Sequence, residues 1–168
     1  MRHQWFLLLF LASACFAGCG RQATADATAA AKFLLYEEPA NACCIADVRQ
    51  SIADQQEIQE IVVFGRIGGV PDPWTPGRAA FVIADPALQL EAHDHQCSDA
   101  CAFCKAKQDP AATVALVQFL DHNGNVLSTD ARKLFNLTAG QMVVVRGDAG
   151  TDAAGHLVIS ATGLYVRR

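Results

Sequence analysis

From residue 58 onward the apolar residues follow a strand-type pattern, in five short runs separated by turn-forming residues and interrupted by one short helical stretch. That pattern confines the chain to a mainly β fold. Residues 58–67 are β-branched and broken by Gly65, then by Gly68-Gly69; a glycine inside a strand predicts a bulge or a sharp bend. Residues 79–84 are a second strand after a loop rich in Pro and Gly, and Asp85-Pro86 ends it. Residues 113–120 are a third, and His122-Asn123-Gly124-Asn125 predicts a type I′ turn, because Asn-Gly tolerates positive φ. Asp130 can cap a short helix through Phe135, stopped by Ala139-Gly140. Residues 142–146 and 157–166 are the last two strands, across a polar loop with Gly150 and Gly155.

Three strands, a short helix and two more strands is the order of an OB-like, five-stranded Greek-key barrel, with its helix between strands 3 and 4. A glycine-bent first strand fits, since a barrel strand must curve to join both halves of the sheet. A plain β-sandwich shares the patterning and is the alternative. A Cys/His-rich insertion then falls between strands 2 and 3.

The N-terminus places the chain in a compartment. Arg2 and His3 precede an apolar run over residues 5–16, followed by Ala17-Gly18 and Cys19, the layout of a secretory signal. The run is too short to span a bilayer. Phe16-Ala17-Gly18-Cys19 resembles the bacterial lipobox, which implies cleavage before Cys19 and a diacylglycerol on its thiol. Residues 1–18 are thus read as a lipoprotein signal peptide and 19–31, small and polar, as a flexible tether. The domain is expected over residues 32–168, opening on an extended piece at Phe33-Leu34-Leu35-Tyr36 and a short helix around Ile45, Val48 and Ile52. Cleavage takes Arg2 and leaves twelve Lys+Arg against seventeen Asp+Glu, a net charge of −5. With no basic stripe to neutralise phosphates, nucleic acid is excluded as a partner.

Residues 93–104 read His-Asp-His-Gln-Cys-Ser-Asp-Ala-Cys-Ala-Phe-Cys and hold two imidazoles and three thiols. Two readings stand. In the first, Cys97, Cys101, Cys104 and one of His93 or His95 bind a metal, Zn²⁺ or another soft ion, because three thiolates and an imidazole complete a tetrahedral site; Asp94 and Asp99 are then outer partners. In the second, an oxidising envelope staples this segment to Cys43 or Cys44 by disulfides. Cys101 and Cys104 as a cycling redox pair is a third and lesser use, since the βαβ unit of thioredoxins is missing. The spacing Cys97-x-x-x-Cys101-x-Phe103-Cys104 also matches that of radical-SAM enzymes, but their strand–helix alternation is absent and an export signal leads away from where such clusters are assembled.

Gly65-Arg66-Ile67-Gly68-Gly69, Gly77-Arg78-Ala79-Ala80-Phe81, Asp130-Ala131-Arg132-Lys133-Leu134 and Val143-Val144-Val145-Arg146-Gly147 resemble a group of small, uncharacterised exported bacterial lipoproteins with an OB-like barrel and a Cys/His-rich insertion. The resemblance implies a fold and a compartment, and no activity. Elsewhere the residues read as structural. His122 belongs to a turn and His156 to a strand start; Trp74 covers a barrel end; Arg66 and Arg78 pair with Asp72 and Asp85. The expected function is that of a non-enzymatic binding module with a zinc-type site; the alternatives are an envelope redox or metal-transfer protein using Cys101 and Cys104, or a purely disulfide-stapled structural module. Its expected place is the periplasmic or outer-surface side of the bacterial cell envelope, held to the membrane by a lipid at Cys19. The protein or small-ligand partner is not legible.

Overall fold

In the computed structural model, residues 27–54, 57–86 and 113–168 are described. Five strands close on themselves: β1 (Glu57–Ile67), β2 (Ala80–Ala84), β3 (Val114–Phe119), β4 (Met142–Thr151) and β5 (Leu157–Val166). Around the barrel the order is β1-β2-β3-β5-β4, with β4 returning to β1. The protein is therefore mainly β, and its sheet closes as a barrel instead of splitting into a sandwich. All pairings are antiparallel except β3 with β5, which run parallel over four residue pairs from Leu116↔Val158 to Phe119↔Ala161.

Alternation decides which side chains fill the barrel. On β3, Ala115, Val117 and Phe119 point inward and are buried, while Leu116 and Gln118 face outward. On β5 the inward set is Leu157, Ile159 and Ala161, and on β4 Val143, Val145 and Ala149. Phe119 meets Phe33, Phe81 and Phe135 at centroid distances of 5.1, 6.1 and 4.5 Å, in the edge and tilted geometries that ring quadrupoles favour. Two of those rings come from helices. Phe33 ends α1 (residues 27–33), which begins within the stretch expected as tether and also buries Ala30. Phe135 ends α3 (Ala131–Phe135), where Asp130 accepts the Arg132 amide as N-cap and Asn136 closes the helix at φ 54°.

The segment after α1 is tied to the barrel at both ends. Leu34 bridges Leu164 on β5, and Cys43 bridges Val63 on β1. Between them Glu38 holds Arg167 in a two-toothed ion pair, with the Arg167 guanidinium over the Phe64 ring. Residues 33–36, expected as extended, are thus split between a helix end and a single bridge. A second helix, α2 (Ile45–Asp54), buries Ile45, Val48 and Ile52 as their spacing predicts.

Three local expectations need correction. The irregularity of β1 lies between Ile58 and Ile61, with Glu60 at φ 56°, and not at Gly65. Gly65 serves close packing instead: a Cβ there would stand 3.0 Å from the Ile83 side chain. The turn after β3 is not type I′, because only Gly124 has positive φ; Asp121 accepts the Asn123 and Asn125 amides on Oδ1 and closes a five-residue loop. Residues 152–156 repeat this construction, Asp152 taking the Ala154 and His156 amides. Finally, β4 continues past Arg146 to Thr151, because a bulge between Arg146 and Gly147 bends the strand without ending it.

Gly147 permits that bend, since a Cβ there would press into the Ser160 carbonyl oxygen and lie 2.9 Å from the Ala161 Cα. Gly155, at φ 82°, has open space around it. Gly147→Ala is expected to lower unfolding free energy by more than about 2 kcal/mol, and Gly155→Ala by about 1 kcal/mol through backbone strain alone. Urea titration of both variants checks this, and equal losses would contradict the role given to Gly147.

Candidate functional site

Cys19 and the cluster residues His93, His95, Cys97, Cys101 and Cys104 lie outside the described residues. Cys43 and Cys44 lie within them and are not bonded to each other. Cys43 faces the β1 backbone: its amide and its Sγ both donate to the Val62 carbonyl, at 2.9 and 3.1 Å, and its own carbonyl accepts the Phe64 amide. Burial pushes its thiol above the ordinary 9.0, and the Asp47 charge adds to the rise. Cys44 starts the turn that becomes α2. Burial, then a hydrogen bond to the Asp47 side chain, with the charges of Asp47 and Asp85 behind them, raise its pKa from 9.0 to about 11.

Asp85 follows β2 directly, and its amide donates to the Thr113 carbonyl at 2.9 Å, just before β3. Arg49 on α2 reaches the Val114 carbonyl at 3.5 Å. The chain therefore leaves β2 and re-enters β3 at one place, beside α2 and the Cys44 thiol. Among the described residues, no three His, Cys, Asp or Glu side chains are grouped as metal ligands.

A second site was not foreseen. An open groove of about 450 Å³ runs over the outer face of β3, β5 and β4 to the start of β1, lined by Leu116, Gln118, Val158, Ser160, Asp148 and Glu57 among others. Strand register arranges these side chains in two rows. The first runs Leu116, Val158, Gly150, Glu57, neighbours across four strands. The second runs Gln118, Ser160, Asp148: the Gln118 amide donates to Ser160 Oγ at 3.3 Å, and Asp148 Oδ1 accepts the Glu60 amide at 3.0 Å. The bulges at Glu60 and Gly147 bend β1 and β4 beside the second row. At the rim, Asp152 is held below the usual carboxylate range by the His156 backbone amide and ring, the latter 3.0 Å away.

Beside β2, Trp74 packs on Phe81 at 5.9 Å and carries the Arg132 guanidinium over its ring at 5.6 Å. Arg132 is bound through Nε and Nη2 to Asp130, whose carboxyl it pulls down to about 2. Trp74 is thus a partly buried ring packed against the core beside β2. Arg78 departs from expectation: it donates to the Val126 carbonyl and Ser128 Oγ, because residues 126–128 pass beside it where Ala79 bonds the Leu127 carbonyl. Asp72 Oδ1 takes the Trp74 amide. His122 and His156 are exposed, as a turn residue and a strand-start residue would be.

No protein-family model matches the chain, and no curated protein sequence matches it. The groove residues were missed because each is an ordinary outward position of its own strand. The signal present in the sequence, a lone Gln118 and Ser160 inside apolar runs, acquires meaning only once β3 and β5 are known to be neighbours.

The pKa of Cys44 sets its reactivity. In reduced, folded protein at pH 8, the shift from 9.0 to about 11 removes all but about one-hundredth of the thiolate present in the unfolded chain. Iodoacetamide labelling read by peptide mass spectrometry should therefore proceed about 100-fold more slowly at Cys44 in the folded than in the urea-unfolded protein. Equal rates would contradict the burial and carboxylate contacts described for it.

Proposed function

We propose that this chain is a lipid-anchored, non-enzymatic binding module of the bacterial cell envelope, an OB-like Greek-key barrel that uses its outer groove as ligand site and carries a zinc-type Cys/His site in the segment joining β2 to β3. The groove is the observation that carries the binding reading. Its polar side chains are fixed by strand register and by one another, which is the preorganisation a recognition surface needs. The Gln118 amide donates to Ser160 Oγ, which ties that hydroxyl into the row as a hydrogen-bonding group. The strand order and the position of α3 between β3 and β4 in the chain support the OB-like assignment.

For the Cys/His segment, support comes from its donor set and from where it is attached. Three thiols and two imidazoles within twelve residues are the ligands Zn²⁺ selects. The attachment point beside Cys44 and Asp85 favours one further reading, a disulfide from the segment to Cys44. The lipid anchor rests on the apolar run and on Phe16-Ala17-Gly18-Cys19.

Expression of the full chain in a bacterium, followed by detergent partition, lipid analysis at Cys19, metal analysis and thiol mapping, tests these parts together. The expected result is detergent-phase protein with about one equivalent of metal, lost in Cys101→Ser, and release or non-processing of Cys19→Ala. Soluble behaviour of both wild type and Cys19→Ala would overturn the anchor. Metal-free protein with a cross-link from Cys43 or Cys44 to the 97–104 segment would replace the metal site by the staple, and reversible cycling of Cys101 and Cys104 near the envelope's redox poise would replace it by the redox pair.

A further inference from the structure

The first row of the groove has a polarity along its length that selects an occupant. Leu116 and Val158 give it an aliphatic end, Gly150 leaves a stretch of bare backbone, and Glu57 closes it with a carboxylate. Three strand spacings separate the ends, about 14 Å. Asp148 and Asp152 add negative charge to the same lining, which contains no Lys or Arg. Asp148 is anchored through Oδ1 on the Glu60 amide, so its carboxylate is positioned before any ligand arrives.

We infer that the groove docks an extended peptide segment carrying Lys or Arg, whose aliphatic stem lies over Val158 and Gly150 and whose cationic head is received by Glu57 and Asp148, with Leu116 left to the neighbouring part of the segment. The inference rests on the groove being the ligand site, and adds the chemical class of the partner. Long cationic side chains bury their methylene stems on apolar surface while the charge stays at a polar rim, and the row offers those two surfaces in that order. An acidic lining without Lys or Arg, set in a groove, concentrates cations and repels phosphates and carboxylates. Neutral or anionic ligands would leave Glu57 and Asp148 without a countercharge.

The test is a titration of ¹⁵N-labelled chain with an acetylated, amidated Gly-Arg-Gly-Lys-Gly peptide, and with the same peptide carrying citrulline and norleucine in place of its two cationic residues. The cationic peptide should shift the amides of Leu116, Gln118, Gly150, Val158 and Ser160, less so as NaCl rises, and the neutral one should not. Glu57→Gln with Asp148→Asn, in which the Asn oxygen can still accept the Glu60 amide, should weaken binding by about tenfold or more. Val158→Lys, which places the chain's own cation in the row, should do the same without touching a carboxylate. Equal shifts from both peptides, unaffected by these substitutions, would leave the groove as a ligand site and overturn its selectivity for cations. Shifts elsewhere, or none, would overturn both.

Discussion

The parallel seam between β3 and β5 is the contact on which both the core and the outer surface depend. It is short, four residue pairs, and it closes the sheet. Because side chains alternate along a strand, its register assigns Val117 and Phe119 to the interior and Leu116 and Gln118 to the exterior in one step. Phe119 then becomes the meeting point of α1, β2 and α3 through Phe33, Phe81 and Phe135. On the opposite face, Leu116 and Gln118 become neighbours of Val158 and Ser160.

The two bulges connect this closure to the groove. Five strands can form a small barrel only if some of them bend, and here the bending is done by β1 at Glu60 and by β4 at Gly147. Both bends fall beside the polar row. At one, the Glu60 amide is turned toward Asp148; at the other, the backbone of β4 comes so close to Ser160 that only glycine is accommodated. The distortion that closes the barrel thus also positions the side chains over its outer wall.

Much of the fold was legible because its determinants are local. Short apolar and β-branched runs bounded by turn residues marked all five strands, Asp130 marked the start of α3, and Ile45, Val48 and Ile52 marked the buried face of α2. What was not legible depends on residues distant in sequence. The bulge of β1 sits at Glu60, a residue with no intrinsic preference for positive φ, where its amide finds Asp148, 88 positions later. Gly65, the obvious candidate for a bend, is instead a packing residue against Ile83. The turn at 121–125 is set by Asp121, whose carboxylate serves two amides, more than by the Asn-Gly pair. The groove was invisible for a related reason: its rows run across strands, and no sequence window contains one. The Cys/His segment is the reverse case, conspicuous in the sequence and outside the described residues.

Cross-strand NOEs and amide exchange at the β3–β5 seam test the account most directly. The ¹⁵N,¹³C-labelled protein should show contacts linking residues 116–119 to 158–161 in the parallel register Leu116↔Val158, with amides of these residues among the slowest to exchange. A register displaced by one residue, or no contacts between these segments, would turn Leu116 and Gln118 away from the groove, open the barrel and contradict the account.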